Sequence, residues 1–213
     1  MHSAGTAVIL CGGESRRAGF DKQLIPCGET TLPIAIARSL QRLFAEIIIV
    51  TRTPHLYAAA GCRAVEDMVE GAGPLGGIFT GLRHATSDCA YVIAGDMPWR
   101  NLAYIEWMSS LLEGADADAV ATRAGGVHLE PFNSFFAVKC VPLIAAALGR
   151  GERSVSGFLR GCGHAILVAE DDARRFSPDW SMFRSLNTLA EIEQYVRAQA
   201  CTAPGHAGMI STQ

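Results

Sequence analysis

Leu10-Cys11-Gly12-Gly13-Glu14-Ser15-Arg16-Arg17-Ala18-Gly19-Phe20-Asp21-Lys22 follows directly on the apolar run Ala7-Val8-Ile9-Leu10. A short run without polar alternation reads as a strand buried on both faces. The segment after it brings together paired glycines, a hydroxyl, two arginines, a third glycine and a lysine. That mixture suits a triphosphate: glycine lets backbone N–H groups approach phosphate oxygens, and the cations offset their charge. Taken alone, the stretch also reads as a flexible Gly-rich turn with solvated arginines. Its place after a buried strand and the crowding of Arg16, Arg17 and Lys22 favour the phosphate reading. It is not G-x-x-x-x-G-K-[ST], because Phe20 follows Gly19, and it is not G-x-G-x-x-G.

Outward from this loop, short apolar runs alternate with helix-length stretches. Strands are expected at Ala7–Leu10, Ile47–Val50, Ala90–Ala94, Ala117–Thr122, Asn133–Val138 and near Ala165–Val168. Helices are expected at Leu32–Phe44, Leu75–Arg83, Leu102–Leu112, Pro142–Leu148, Ser154–Arg160 and Leu189–Ala200. The order β-α-β-α-β-α-β predicts an α/β fold, an open, mostly parallel sheet covered on both faces. Ligands of such sheets sit beyond the carboxyl ends of the strands, where both the opening loop and Gly95-Asp96 emerge. No repeat or linker divides the chain. Residues 1–201 read as one domain, and 202–213, with little periodicity, as a frayed tail.

With 213 residues, 49% hydrophobic and 18% charged, the chain is long enough for a full core and ordinary for a globular protein. A net charge of -3 argues against a dedicated nucleic-acid binder. No segment approaches the roughly 20 apolar residues of a membrane span, and the N-terminus lacks the basic start of a secretory signal. A cytoplasmic location is the resulting expectation. The seven cysteines are odd in number, widely spaced and without C-x-x-C, so they read as reduced thiols. Cys162-Gly163-His164 resembles half a metal site but has no second half nearby.

Asp96 leaves a buried strand through Gly95 and precedes Met97-Pro98, so it projects from a tight strand end. It reads equally as a hard oxygen ligand for Mg²⁺ against triphosphate oxygens or as an aspartate capping the next turn. Asp67 precedes Gly71-Ala72-Gly73-Pro74-Leu75-Gly76-Gly77. Its small residues either admit a base or ribose or pack a helix closely on a strand. Glu170-Asp171-Asp172 reads as solvated surface. Asn187-Thr188 and Arg153-Ser154 read as helix caps whose segments could also face the crevice. No histidine has a Ser or Cys partner at a recognisable spacing, so nucleophilic catalysis has no support.

Together these pieces resemble the molybdenum cofactor guanylyltransferase (MobA-like) family of nucleotidyltransferases. Its opening pattern, L-A-G-G-x-S-x-R-M-G-x-D-K-x-L-L, is matched from Leu10 to Ile25. V-x-D and G-P-L-x-G are matched by Val65-Glu66-Asp67 and Gly73-Pro74-Leu75-Gly76-Gly77, and D-x-P by Asp96-Met97-Pro98. Glu130-Pro131, Gly151-Glu152-Arg153-Ser154-Val155 and Asn187-Thr188 follow in family order. Departures are Cys11 for alanine, Ala18 for methionine, Gly95 for a frequent cysteine, Leu189 for proline, and Thr51 where an asparagine often stands near the nucleotide.

The resemblance implies a single Rossmann-like domain of the nucleotide-diphospho-sugar transferase type. It implies transfer of GMP from GTP to the terminal phosphate of molybdopterin cofactor, giving the guanine dinucleotide cofactor and pyrophosphate, with Mg²⁺. Carried over residue by residue, Leu10, Cys11, Gly12, Gly13, Lys22, Thr51, Asp67 and Asp96 contact the nucleotide. Lys22, Arg17 and Asp96 are catalytic, and Asp96 holds the metal. Asn133, Arg153, Ser154 and Asn187 lie near the pterin. The implied partners are GTP and molybdopterin cofactor, with transient contact to cofactor-delivery proteins or molybdoenzymes, and neither nucleic acid nor membrane. The rival readings are a nucleotidyltransferase using CTP or a sugar phosphate and a non-catalytic nucleotide-binding adaptor; Gly13 favours guanine over cytosine, and Lys22 with Asp96 favours an enzyme over an adaptor.

Overall fold

The fold is built around β1 (Ser3–Leu10), whose Ala7, Val8 and Ile9 have no exposed surface. It pairs in parallel with β4 (Phe44–Thr51) on one side and β6 (Cys89–Ala94) on the other. The computed structural model describes residues 3–12, 20–58, 60–112 and 115–202. Gly13 and Arg17 of the opening loop and residues 203–213 of the expected tail lie outside the described residues. Beyond β4 the sheet continues with β5 (Arg63–Glu66), again parallel. Beyond β6 come β9 (Ser134–Ala137), β7 (Ala119–Ala124) and β10 (Ala165–Ala169), and β8 (His128–Leu129) pairs with β7. Only β9 and β8 run against the rest. A second, two-stranded sheet joins β2 (Pro26–Cys27) to β3 (Thr30–Thr31).

Side chains alternate across the central strands, so each face carries its own core. Ala7, Ile9, Ile49 and Tyr91 face one side, against Leu32, Ile36 and Leu40 of α1 (Leu32–Leu40) and Tyr104 and Met108 of α3 (Leu102–Ser110). The last helix, α7 (Leu189–Thr202), adds Ile192 and Tyr195 to that face. Val8, Leu10, Ile48 and Val92 face the other side. There they meet Leu75, Ile78 and Leu82 of α2 (Gly73–His84), Ile144 of α4 (Val141–Gly149) and Phe158 of α5 (Val155–Gly161).

The expected order of elements holds, with differences that have physical reasons. The first helix ends at Leu40, and Phe44 opens β4 instead, because its ring stacks on Tyr91 at 5.6 Å across the sheet. A short edge strand with a charge at each end, β5, carries too little apolar pattern to stand out. Glu170-Asp171-Asp172 is the first turn of α6 (Glu170–Arg174), where acidic groups suit the helix N-terminus. Gly76 and Gly77 serve packing: a Cβ on Gly77 would stand 3.1 Å from Leu10 Cδ2, and one on Gly76 2.4 Å from Ala72 Cβ.

After β1 the chain moves outward to β4 and β5, then returns to the opposite flank of β1 as β6. The crevice between the ends of β1 and β6 is therefore the point where strand order reverses, where ligands of open sheets bind.

Candidate active site

Two backbone hydrogen bonds frame that crevice. Cys11 N donates to Val50 O at 2.8 Å, and Gly95 N donates to Leu10 O at 2.9 Å. A cleft of ≈ 340 Å³ opens above them, lined by Leu10, Cys11, Gly12, Lys22, Asp96 and Asn187 among others. Thus six of the site residues expected from the sequence do converge. A second cleft of ≈ 660 Å³, lined by Asp67, Arg52, Glu66 and Glu70, shares Gly12 and Pro74 with the first. The two clefts thus adjoin as one trough.

Across the first cleft, Lys22 Nζ stands 2.6 Å from Asp96 Oδ2 and donates to Asn187 Oδ1 at 2.8 Å. Both members of the ion pair are partly buried, with 26% and 15% of the side chains exposed. Asp96 Oδ1 is buried and has no hydrogen-bond partner among the described residues. A buried carboxylate oxygen without a donor is costly unless a ligand completes it. Leu186 N donates to Asp96 O at 2.9 Å, so the segment carrying Asn187 is fastened to the Asp96 turn.

Lys22 leaves the loop on a single 3₁₀ turn, Lys22–Leu24, capped by the Asp21 carboxylate, which accepts from Gln23 N at 3.0 Å. Lys22 and Lys139 are the two lysines of the sequence, and Lys139 lies apart from the trough, paired with Asp116 and Asp118. Burial pushes the Cys11 thiol up to about 12, so it stays neutral.

Asp67 begins the second cleft, its Oδ1 accepting from Thr80 Oγ1 at 2.9 Å and Val69 N at 3.2 Å. One carboxylate oxygen is thus fixed by the protein, which orients the other.

Four of the expected residues do not line either cleft. Thr51 has no exposed surface, and its hydroxyl donates to Gln23 Oε1. Asn133 is 1% exposed in a left-handed turn (φ 58), where it accepts from Tyr91 Oη at 2.7 Å beneath the sheet. Ser154 caps α5, accepting from Gly157 N at 3.0 Å. The Arg153 guanidinium folds back to Leu148 O and Glu152 O, although its backbone carbonyl packs beside Gly73 at the trough's edge. Of the four residues placed near a pterin, only Asn187 lines the main cleft. Arg17 and Gly13 lie outside the described residues. Cys162 Sγ donates to Asp118 Oδ2 at 3.8 Å, and among the described residues no group of three side chains that could hold a metal occurs. Residues that sequence reading missed include Gln23, Ser185 and Phe132 in the main cleft and Arg52 in the second. The one signal for Gln23 was its place beside Lys22.

Comparison with known proteins places this geometry among relatives. The profile described as the MobA-like NTP transferase domain matches residues 7–175. A "Molybdenum cofactor guanylyltransferase" of Syntrophotalea carbinolica is 44% identical over 193 residues, covering 91% of each chain. A "Probable molybdenum cofactor guanylyltransferase" of Peptoclostridium acidaminophilum is 43% identical over 196 residues, covering 90% of this chain and 88% of its own. Among solved structures, molybdopterin-guanine dinucleotide biosynthesis protein A of Archaeoglobus fulgidus superposes with a TM-score of 0.78 at 20% identity, over 92% of this chain and 100% of that one. That likeness bears on the fold.

Proposed function

The chain belongs to the MobA-like NTP transferase family, and from that premise we propose that it is a molybdenum cofactor guanylyltransferase. It transfers GMP from GTP to the terminal phosphate of molybdopterin cofactor and releases pyrophosphate. The observation that carries the reading is the pair of opposite charges, Lys22 and Asp96, in contact at the switch-point cleft, with one Asp96 oxygen left without a donor among the described residues.

Nucleotidyl transfer needs positioning and charge stabilisation more than covalent chemistry. An oxygen of the cofactor's phosphate attacks the α-phosphorus of GTP. A new P–O bond forms as the bond from the α-phosphorus to the bridging oxygen breaks, and the electron pair leaves with pyrophosphate. With a second pKa of about 6, a phosphate monoester is already ionised near neutral pH, so no general base is required. Lys22 turns from Asp96 to the phosphates and offsets the charge that develops at the α-phosphorus. Arg16 and Arg17 serve the leaving pyrophosphate. Leu10, Cys11, Gly12 and Gly13 approach the nucleotide through backbone atoms, and Asp67 holds it from the second cleft. Asn187 stays beside Lys22, toward the pterin.

Mg²⁺ suits this donor set, since Asp96 Oδ1 is a hard oxygen in need of a partner. Asp96 would hold it; when bound, it supplies Lewis-acid neutralisation of the triphosphate. Among the described residues no helix is long and apolar enough to cross a membrane, in keeping with a reaction in the cytoplasm.

The test is pyrophosphate release by purified protein with each of the four nucleoside triphosphates, with and without molybdopterin cofactor. Release with GTP that depends on the cofactor is expected. Turnover with CTP in place of GTP would overturn the guanylyl assignment, and no turnover with any of them would make the protein an adaptor.

A further inference from the structure

Gln23 Oε1 accepts three hydroxyls: Thr51 Oγ1 at 2.5 Å, Thr53 Oγ1 at 3.1 Å and Tyr57 Oη at 3.3 Å. All three come from the end of β4 and the turn that follows it. Its amide nitrogen donates to the Asp21 carboxylate at 3.3 and 3.4 Å. The amide's orientation is dictated by that carboxylate, because turning it over would set oxygen against oxygen. Thr51 and Tyr57 are at most 1% exposed, so without Gln23 their hydroxyls would lose a buried acceptor.

The arrangement is more elaborate than a surface loop needs. Gln23 is the neighbour of Lys22 on a turn of three residues. Gln23 hooks that turn to the sheet one residue after the working ammonium. With that hook in place, the reach of Lys22 is measured from a fixed point on β4. Neighbouring Ile25, only 2% exposed, anchors the far side of the same turn.

We propose that Gln23 is a positioning residue for nucleotidyl transfer, which sets the place of the Lys22 ammonium by binding the hydroxyls of Thr51, Thr53 and Tyr57. The proposal rests on the guanylyltransferase reading for its kinetic readout, but its structural readout does not need that reading.

The experiment compares Gln23→Leu, Thr51→Val and Thr51→Ser with the unaltered chain in two assays. The first is steady-state pyrophosphate release from GTP in the presence of molybdopterin cofactor. The second is competitive acetylation by acetic anhydride, read by mass spectrometry. It is clean here because Lys22 and Lys139 are the two lysines and Lys139, outside the trough, is the internal reference. Gln23→Leu and Thr51→Val should lower kcat about tenfold or more, with a smaller change in the KM for GTP, because misplacement acts chiefly at the transition state. Both should speed acetylation of Lys22 relative to Lys139. Thr51→Ser, which keeps the hydroxyl, should restore both values.

Unchanged kcat and unchanged Lys22 acetylation in both variants would overturn the proposal. So would equal acceleration at the two lysines, which marks general loosening. If Gln23→Leu does not fold, the comparison of Thr51→Val with Thr51→Ser decides. If the unaltered chain releases no pyrophosphate from GTP, the guanylyltransferase reading fails, while Lys22 acetylation still decides whether Gln23 holds it in place.

Discussion

Gly95 lies directly before Asp96, and a Cβ added there would stand 2.7 Å from Cys11 Sγ and 3.4 Å from both Leu10 O and Pro33 Cγ. The family pattern carries alanine where this chain has Cys11 and often cysteine where it has Gly95. The two departures are one exchange: the sulfur has moved from one strand end to its neighbour. Gly95→Ala therefore overpacks a buried site, and the short Cys11 side chain has little room to yield. The expected cost is about 2 kcal/mol, equivalent to a fall in Tm of about 4–8 °C for a chain of this size. Cys11→Ala alone should cost on the order of 1 kcal/mol in lost contacts. Combined, the two changes should recover most of the first loss, because removing the sulfur removes the clash. Urea unfolding of the four proteins of this cycle gives the coupling, expected at about 1–2 kcal/mol. Additivity within about 0.5 kcal/mol would refute the reasoning. Pyrophosphate release should follow stability: Gly95→Ala displaces Asp96 and lowers kcat, and the double variant regains it.

Asp96→Asn should abolish transfer while the chain still folds, with a lowered unfolding midpoint because Lys22 loses its counter-charge; near-normal rates at limiting Mg²⁺ would remove it from the metal site. Lys22→Ala should lower kcat by about 10²–10³, the scale of losing a charge aimed at the transition state, and single-turnover kinetics will show whether the loss lies in the chemical step. Glu46 gives a pH signature outside the site. Burial pushes its carboxyl up, but hydrogen bonds from Thr6 and from Thr86 outweigh burial and hold it below its ordinary range. Stability from this group is present above the unfolded value and lost as pH falls through the folded one. Urea midpoints should therefore decline as the pH is taken below the ordinary glutamate value of 4.5, and Glu46→Gln should flatten that decline; an unchanged slope would show that other groups cause it.

The parts of the fold that could be read in advance are those where pattern and burial coincide. The unbroken run Ala7-Val8-Ile9-Leu10 reads as an inner strand, and Gly95-Asp96-Met97-Pro98 as a tight end of another, and the structure has both. The direction of β9 was not legible, because Ser134-Phe135-Phe136-Ala137 is buried on both faces and reads the same in either sense. Among candidate residues, Lys22 and Asp96, expected from local chemistry and chain order, do line the main cleft. Thr51 does not, since the fate of its hydroxyl depends on Gln23, 28 residues earlier. Asn133 looked like a polar residue at a strand start, but its left-handed backbone turns it under the sheet toward Tyr91. Arg153 and Ser154 satisfy their own helix ends, the plainer of the two readings their sequence allowed.

The Lys22–Asp96 contact has a consequence for how the trough fills. At rest the two working charges neutralise each other, and neither is left buried and alone. A lone anion that draws Lys22 away strands the carboxylate, and a lone cation at Asp96 strands the ammonium; each pays the desolvation of the abandoned partner. A ligand that brings both signs at once, a metal–triphosphate complex, lets the two residues change partners together. On the proposed reading, the resting ion pair would favour the nucleotide and its counter-ion arriving as one unit over either arriving alone.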